Sequence, residues 1–308
     1  MSIEPIGHGI HCVDLHPLGL EEYISAYVVD RGQVAVIDCG PSSTIENLLD
    51  AMAEMEIDPA EIRQILLTHI HVDHAGGAGL LLKKAPQAKV YVHEQGAYHL
   101  VHPEFLWSST KKVLGELAEE YGEIQPVPKS SVVSLSGGER IHLDITEIAV
   151  VETPGHAPHH LCFWDIPSNG IFTGDAAGIY VRKQDCLLPT TPPPNFDLEL
   201  SLTSLTRLMA LQADRLYYTH FGRRKDARAH LEAYSRRLRL WVDTVLQGVE
   251  EGFNEQEIRD QLARTDPHLR KIEGISGRDR LIHESSVLFS IQGITRYLRS
   301  SDSLSKES

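Results

Sequence analysis

The stretch Thr68-His69-Ile70-His71-Val72-Asp73-His74-Ala75-Gly76-Gly77 carries four potential metal ligands within six residues. In an extended or turning segment alternate residues project to one side, so His69 and His71 can converge on a single ion. Asp73 and His74 follow where the chain turns into a helix, and they can face a second ion beside the first. Imidazole and carboxylate together suit zinc, iron or manganese, whereas calcium prefers oxygen ligands only.

This run follows a largely apolar segment, Ile62 to Thr68, which predicts a strand covered on both faces. Three later β-type runs each end in one further candidate ligand. These are His156 in Thr153-Pro154-Gly155-His156, Asp175 in Phe172-Thr173-Gly174-Asp175, and His220 in Tyr217-Tyr218-Thr219-His220-Phe221-Gly222. Sites on α/β scaffolds gather at strand ends. No Gly-x-Ser-x-Gly elbow or Walker loop offers a competing chemistry, so the metals are expected to carry it.

These motifs, in this order, resemble those of the metallo-β-lactamase-fold superfamily, and its glyoxalase II-like hydrolase branch fits best. The matching blocks run from Val36-Ile37-Asp38 through His220, so the resemblance covers roughly the first 225 residues. It implies an α/β protein with the αββα sandwich of this superfamily. The residues beyond the matching blocks then form a C-terminal helical extension.

The resemblance also implies which side chains bind metal. Seven ligands fall into two sets that share one bridge: His69, His71 and His156 for the first metal, Asp73, His74 and His220 for the second, and Asp175 between them. Asp38 matches an aspartate that supports the ligands from behind, and His160 is expected to orient a ligand or to contact the substrate. His159 stands where many members of the superfamily have glycine.

Two divalent ions in such a site share a water molecule and lower its pKa until hydroxide is available at neutral pH. The resemblance therefore implies a binuclear hydrolase whose metal-bridging hydroxide attacks an ester, thioester, lactone or lactam. Zinc is the expected metal, with iron or manganese as alternatives. Asp73 is the candidate catalytic residue, because it can steer the hydroxide while it binds the second ion.

Three other functions fit parts of the pattern. A mononuclear-iron, persulfide dioxygenase-like enzyme would keep one iron and leave the second ligand set unused. A phosphodiesterase of the same fold would act on a phosphoryl centre instead of a carbonyl. A metal-bound protein without catalysis is disfavoured by the complete ligand set.

A lactonase subgroup has a catalytic tyrosine three residues after the bridging aspartate, and Gly178 at that position disfavours a homoserine-lactonase function.

Substrate specificity is expected to come from side chains and loops around the cluster. The candidate pocket residues are Trp107 with its neighbours Phe105 and Leu106, Tyr180 in the loop that runs to Phe196, and Phe221. Plain core packing is the competing interpretation for these aromatic side chains. The basic run Arg223-Arg224-Lys225 is typical of a solvated surface cluster, and anion binding is its alternative role.

The formal net charge of −14 over 308 residues disfavours nucleic acid as a partner, because nucleic-acid binders usually present a basic surface. No apolar run has the length needed to cross a bilayer, and the first residues do not resemble a secretory signal. The four cysteines are far apart and predict separate buried thiols. We therefore expect a cytoplasmic enzyme with a small-molecule substrate and no membrane partner, and a homodimer is left open.

The predicted organisation is a catalytic domain over residues 1–225, a helical region over 226–298 and a disordered tail over 299–308. Predicted strands span residues 23–29, 33–37, 62–68, 89–93, 131–133, 141–143, 146–151, 161–164, 170–173 and 216–219. Predicted helices span residues 44–57, 76–85, 103–122, 198–211, 226–252, 255–264 and 285–298. Pro189 to Pro194 contains four prolines and is predicted to be a loop.

Overall fold

The computed structural model describes residues 2–144 and 146–305. Its contacts divide the chain into two compact units. Unit 1 comprises Met1–Glu152, His159–Gly174 and Ala213–Lys225, and unit 2 comprises Thr153–Pro158, Asp175–Gln212 and Asp226–Ser308. The division into domains at residues 225 and 226 stays a prediction.

Unit 1 contains a seven-stranded sheet in which the strands follow one another in chain order. Its strands are β1 (Ile3–Gly7), β2 (Ile10–Asp14), β3 (Ser25–Asp30), β4 (Val34–Ile37), β5 (Ile62–Leu66), β6 (Lys89–His93) and β7 (Val132–Leu135). The first four are antiparallel to one another, and β4 to β7 are parallel. The hairpin predicted for residues 23–37 and the strands predicted to begin at residues 62 and 89 are confirmed.

The helices of unit 1 connect the parallel strands. They are α1 (Ile45–Glu54), α2 (Val72–Ala75), α3 (Ala78–Lys84), α4 (Glu94–Val101), α5 (Glu104–Leu114) and α6 (Glu116–Tyr121). Crossovers between parallel strands are right-handed, and because β4 to β7 progress in one direction, all these helices lie on the same face of the sheet. Val28, Val36 and Ile65 point to this face and are fully buried.

The second sheet of unit 1 has six strands in the order β15-β14-β11-β10-β9-β8. They are β8 (Arg140–Leu143), β9 (Thr146–Glu152), β10 (Leu161–Asp165), β11 (Gly170–Gly174), β14 (Arg215–Tyr218) and β15 (Gly222–Lys225). The hydrophobic core of the unit combines Tyr27, Ile37 and Leu66 of the first sheet with Phe163 and Phe172 of the second. These side chains are at most 1% exposed, so the core lies between the two sheets.

The described part of unit 2 contains a short hairpin and five α-helices. They are β12 (Ile179–Val181), β13 (Cys186–Leu188), α7 (Leu198–Ala210), α8 (Ala227–Glu250), α9 (Glu255–Thr265), α10 (Pro267–Ile272) and α11 (Gly277–Ser305). The predicted long amphipathic helix is confirmed as α8, which buries a stripe that includes Leu231, Leu238 and Trp241. Asp266 is fully buried, and it accepts a hydrogen bond from Trp241 Nε1 at 2.8 Å.

Several elements differ from their predicted form. The helix predicted for residues 103–122 is broken at Gly115, whose φ of 57° lies outside the helical region and separates α5 from α6. Seven of the described elements were not predicted from the sequence: β1, β2, α4, β12, β13, β15 and α10. The basic run Arg223-Arg224-Lys225 forms β15, the edge strand of the second sheet.

The C-terminal tail differs from its prediction as well. Residues 299–305 of the predicted disordered tail continue α11, and residues 306–308 lie outside the described residues. Extending a formed helix adds one backbone hydrogen bond per residue at little cost, and Ser300 Oγ also donates to the Arg296 carbonyl at 3.0 Å. Among the described residues, no helix combines the length and apolar character that crossing a membrane requires.

An ion pair in unit 1 joins the two sheets. Arg31, in the turn between β3 and β4, donates to both carboxylate oxygens of Asp165 at the end of β10, at 2.6 and 2.9 Å. Asp165 is fully buried and the Arg31 side chain is 9% exposed. Removing one partner of a buried pair leaves an uncompensated charge, which is strongly destabilising.

We expect Arg31→Ala to lower the free energy of unfolding by about 3–5 kcal/mol, because the Asp165 carboxylate stays buried without its partner. Urea unfolding followed by circular dichroism measures this change. Arg140→Ala is the matched control, since the Arg140 side chain is 54% exposed in its pair with Glu147, and its cost should stay below about 1 kcal/mol. Equal effects of the two substitutions would contradict the prediction.

Candidate metal centre

Asp38 follows β4 and connects the ends of three strands in unit 1. Its side chain is fully buried, and its backbone φ is 49°. Asp38 Oδ1 accepts the backbone N–H of Thr68 at 2.8 Å, and Oδ2 accepts the hydroxyls of Thr68 and Thr219, each at 2.9 Å. Thr68 follows β5 and Thr219 follows β14, so this carboxylate ties together the two sheets at the edge where the candidate ligands lie.

The orientation of two histidine rings follows from their hydrogen bonds. His74 Nδ1 lies 2.8 Å from Asp38 Oδ2, and His220 Nδ1 lies 3.0 Å from the Tyr23 carbonyl oxygen. A carboxylate or a carbonyl oxygen only accepts, so Nδ1 carries the proton in both rings. In the neutral form of each ring, Nε2 is then the nitrogen whose lone pair can bind a metal.

Both of these Nε2 atoms face Asp73. The distances to Asp73 Oδ2 are 3.3 Å from His220 Nε2 and 3.8 Å from His74 Nε2. One donor atom from each of the three residues lies within 4.8 Å of the others, so this group can hold a metal ion. Two imidazoles and one carboxylate form the donor set of a divalent transition metal, which fits the expected zinc.

His69 and His71 form a second pair of candidate ligands in unit 1. His69 Nε2 and His71 Nδ1 point at each other at 2.9 Å, and the Thr68 hydroxyl lies 3.1 Å from His69 Nδ1. A Cβ on Gly76 would overlap the carbonyl oxygen of Val72, so the backbone packs closely at this glycine. His69 and His71, together with Asp73 and His74, therefore project from one tightly packed turn between β5 and α3.

Two further histidines lie beside this turn. His160 is fully buried, its ring centroid is 5.0 Å from that of His69, and a Cβ on Gly174 would overlap its Nε2. The His159 ring stacks on His69 with a centroid distance of 6.2 Å and an interplanar angle of 14°. His160 therefore packs behind a candidate ligand, and its orienting role stays a prediction.

In unit 2, His156 and Asp175 lie together. His156 Nε2 is 3.3 Å from Asp175 Oδ2, and both side chains are at most 5% exposed. His156 Nδ1 is 3.0 Å from the Thr190 carbonyl oxygen, so this ring also carries its proton on Nδ1 and presents Nε2 as the ligand nitrogen. All three imidazoles whose Nδ1 faces a backbone carbonyl or Asp38 thus share one tautomer.

Of the candidate pocket residues, Trp107, Tyr180 and Phe221 are buried, Leu106 is half-buried and Phe105 is 70% exposed. Phe221 belongs to the core between the two sheets of unit 1, and the Tyr180 hydroxyl donates to Asp185 Oδ1 at 2.8 Å. Trp107 is 7% exposed and lies below the ammonium group of Lys111. Their role in a substrate pocket stays a prediction. Arg223, in the basic run, donates to the carbonyl oxygen of Ile6 at 3.2 Å, which gives it a structural contact.

Apart from Asp38, sequence reasoning missed the acceptors and donors that orient the ligands. Thr68 and Thr219 each precede a candidate histidine ligand, and this recurring Thr-His pair was an available signal. Tyr23 and Thr190 act through backbone carbonyls, which every residue has, so no side-chain pattern marks them. Burial raises the pKa of the Cys39 thiol beside Asp38, so this thiol is a neutral donor and not a ligand.

Comparison with known proteins agrees with this arrangement of elements and residues. The family model of the metallo-beta-lactamase superfamily matches residues 20–220. The metallo-beta-lactamase fold-containing protein ST1585 of Sulfurisphaera tokodaii is 31% identical over 221 residues, which make up 70% of this chain and 78% of the relative. The chain belongs to the metallo-beta-lactamase superfamily. The superfamily and the enzyme class expected from the sequence are thereby confirmed.

Solved structures of the superfamily share the fold. ST1585 aligns with a TM-score of 0.70 and 24% identity, over 94% of this chain and 99% of that one. The metallo-beta-lactamase family protein TTHA1429 of Thermus thermophilus aligns with a TM-score of 0.72 and 22% identity, over 97% of this chain and 95% of that one. The predicted α/β metallo-β-lactamase fold is therefore confirmed.

A relative with a more specific name is the hydroxyacylglutathione hydrolase of Salmonella paratyphi A. It is 29% identical over 163 residues, which are 52% of this chain and 48% of the relative. The chain thus spans about half the length of this relative.

We expect Asp38→Asn to weaken metal binding by about 10–100-fold, because an amide nitrogen at Oδ2 cannot accept from His74 Nδ1 and Thr219 together. Competition with a chromophoric chelator measures the affinity. Asp50→Asn on the exposed surface of α1 removes the same charge and should leave the affinity unchanged. Unchanged affinity in Asp38→Asn would show that this carboxylate does not orient the ligands.

Proposed function

We propose that this chain is a binuclear metal-dependent hydrolase that acts on an ester, thioester, lactone or lactam. The observation that carries the proposal is the number and state of the ligand groups. Unit 1 presents Asp73, His74 and His220 as one group and His69 and His71 as a pair, and unit 2 adds His156 and Asp175. Seven donors exceed the four that a tetrahedral zinc ion takes, so two ions are the simplest occupancy.

The assignment of these donors to two ions rests on the superfamily resemblance. On that resemblance, His69, His71 and His156 would hold one ion, Asp73, His74 and His220 would hold the other, and Asp175 would be a ligand of both. The ring orientations support it, because in His74, His156 and His220 Nδ1 faces an acceptor and Nε2 is the nitrogen left to bind a metal. Two bound divalent ions supply the chemistry by acidifying water and polarising the electrophilic group of the substrate.

Asp73 is the ligand best placed to act on the attacking water. Its side chain is 24% exposed, whereas those of His74 and His220 are at most 3% exposed. Solvent and substrate therefore reach Asp73 while its imidazole neighbours stay enclosed. We assign to its carboxylate the task of accepting a hydrogen bond from the attacking water and of taking its proton, a contribution of about 100- to 10,000-fold to the rate.

The similarity to hydroxyacylglutathione hydrolase favours a thioester among the four substrate classes and supports the glyoxalase II-like branch. Gly178 lies where the lactonase subgroup has its tyrosine, and its φ of 84° together with the ring of Tyr234 leaves no room for a side chain there. A lactone is therefore the least favoured substrate of the four. The cytoplasmic location and the small-molecule partner stay predictions.

Metal analysis of the purified protein combined with a substrate panel tests the proposal. We expect two divalent ions per chain and turnover of a thioester, ester, lactone or lactam. Chelation should abolish this turnover, and zinc should restore it. Asp73→Asn should reduce kcat at least about 100-fold, because the amide cannot take the proton. Asp214→Asn, an exposed aspartate of unit 1, is the control that should keep full turnover.

Other outcomes of the same experiment point to the competing functions. One iron per chain with oxygen consumption would indicate the persulfide dioxygenase-like enzyme. Turnover of a phosphodiester alone would indicate the phosphodiesterase. Two bound metals without turnover on the whole panel would contradict a hydrolase acting on these substrate classes.

A further inference from the structure

Three C-terminal helices of unit 2 hold the segment that leads from Asp175 to Thr190. On α10, His268 Nδ1 accepts the backbone N–H of Leu187 at 2.9 Å, and Lys271 Nζ donates to the Asp185 carbonyl at 2.7 Å. Both contacts hold the β12–β13 hairpin, which directly precedes the proline-rich loop. The path of the chain toward Thr190 is therefore set by residues about 80 positions later in sequence.

Helix α11 holds the loop itself. Ser290 Oγ donates to the Pro189 carbonyl at 3.2 Å and accepts the backbone N–H of Thr191 at 3.3 Å. Thr191 Oγ1 donates to the Ser290 carbonyl at 3.0 Å. Thr191 is fully buried and Ser290 is 3% exposed, so water does not compete for these three hydrogen bonds. They fix the backbone on both sides of Thr190.

A glycine on α11 permits this close approach. A Cβ on Gly293 would overlap the Thr191 carbonyl oxygen and the Pro192 carbonyl carbon. Both contacts are with backbone atoms, which cannot turn aside as the end of a flexible side chain can. On α8, the buried hydroxyl of Tyr234 is hydrogen-bonded to the backbone of Thr190, and this phenol lines a small cavity beside His156 and Asp175.

One backbone carbonyl of this fixed loop contacts a candidate metal ligand. The carbonyl of Thr190 accepts from His156 Nδ1 at 3.0 Å, which sets both the tautomer and the direction of the ring. Acceptors of this kind typically change metal affinity about 10–100-fold when they are lost. A substitution that shifts the loop would move this acceptor, even if the substituted side chain lies away from the metal ligands.

We propose that Ser290, Thr191 and Gly293 are positioning residues, through which the C-terminal helices hold the metal ligand His156 in its binding orientation. This inference rests on the proposed function, because it takes His156 as a ligand. It assigns the helical extension a role in building one of the two metal sites. The group Asp73, His74 and His220 has its own supports in unit 1, namely Asp38 and Tyr23.

The test compares two pairs of variants in the full-length protein. Thr191→Val removes the hydroxyl at almost constant volume, and Thr191→Ser keeps it. Gly293→Ala adds the obstructing Cβ, and Gly274→Ala on the same C-terminal segment adds one where its nearest neighbour, the Lys271 carbonyl oxygen, is 3.6 Å away. Ser286→Ala serves as the control for a hydroxyl on α11, since Ser286 Oγ donates only to the Ile282 carbonyl within the helix.

The first readout is zinc affinity measured by competition with a chromophoric chelator. Thr191→Val and Gly293→Ala should weaken one of the two ions about 10–100-fold and leave the other tightly bound. Thr191→Ser, Gly274→Ala and Ser286→Ala should bind both ions as the wild type does. The inference would be overturned if all five variants bound both ions as tightly as the wild type. It would also be overturned if Thr191→Ser, Gly274→Ala and Ser286→Ala weakened binding as much as Thr191→Val and Gly293→Ala.

The second readout separates this inference from the proposed function. In the metal-free protein, ¹⁵N-edited spectra of the histidine side chains, assigned with His156→Gln, detect the Nδ1–H that His156 donates to the Thr190 carbonyl. Wild type and Thr191→Ser should show this Nδ1–H protected from exchange with water, and Thr191→Val should lose that protection. If the wild type binds fewer than two ions, the proposed function fails. Unchanged protection of the His156 Nδ1–H in Thr191→Val would overturn the positioning role by itself.

Discussion

The buried carboxylate of Asp38 is the constraint on which the candidate site of unit 1 depends. A charge taken fully out of water costs several kcal/mol unless donors replace its hydration. The donors come from the ends of β5 and β14 and from the His74 ring, so the two sheets must meet at this edge. Ser25 and Tyr27 of β3 strengthen the junction by donating to the Tyr218 carbonyl. The requirement to satisfy one carboxylate thus places two candidate ligands, His74 and His220, beside each other.

The same hydrogen-bonding arrangement is present in both units. In each of three histidine rings, Nδ1 faces an acceptor and Nε2 faces a carboxylate. The acceptors differ in kind: Asp38 is a side chain, whereas Tyr23 and Thr190 offer backbone carbonyls. A side-chain acceptor can be recognised in the sequence. Which backbone carbonyl accepts a hydrogen bond depends on the path of the backbone, because every residue has one. This difference explains why Asp38 was predicted and the supports of His156 and His220 were not.

The sequence was informative where a periodic pattern or a chemical motif had to be present. Apolar runs predicted β5 and β6 because strands buried on both faces need them, and heptad-like spacing predicted α8. The hairpin β12–β13 and the edge strand β15 were missed, since three-residue strands and a strand made of charged residues carry no such pattern. Helix α4 begins at Glu94, and the ring of the preceding His93 accepts from the Gln95 N–H in place of a usual capping residue.

The candidate ligands of unit 1 and those of unit 2 are held in different ways, and this difference has consequences for how the enzyme can vary. In unit 1, side-chain and backbone contacts between strand ends hold the ligands, and these contacts lie within the buried junction of two sheets. In unit 2, a loop carries the acceptor for His156, and helices far along the chain hold that loop. Changes in the C-terminal helices are therefore expected to affect the candidate metal ligand His156. A substrate-binding role for these helices would then be coupled to metal affinity, so that altered specificity and altered metal binding would arise together.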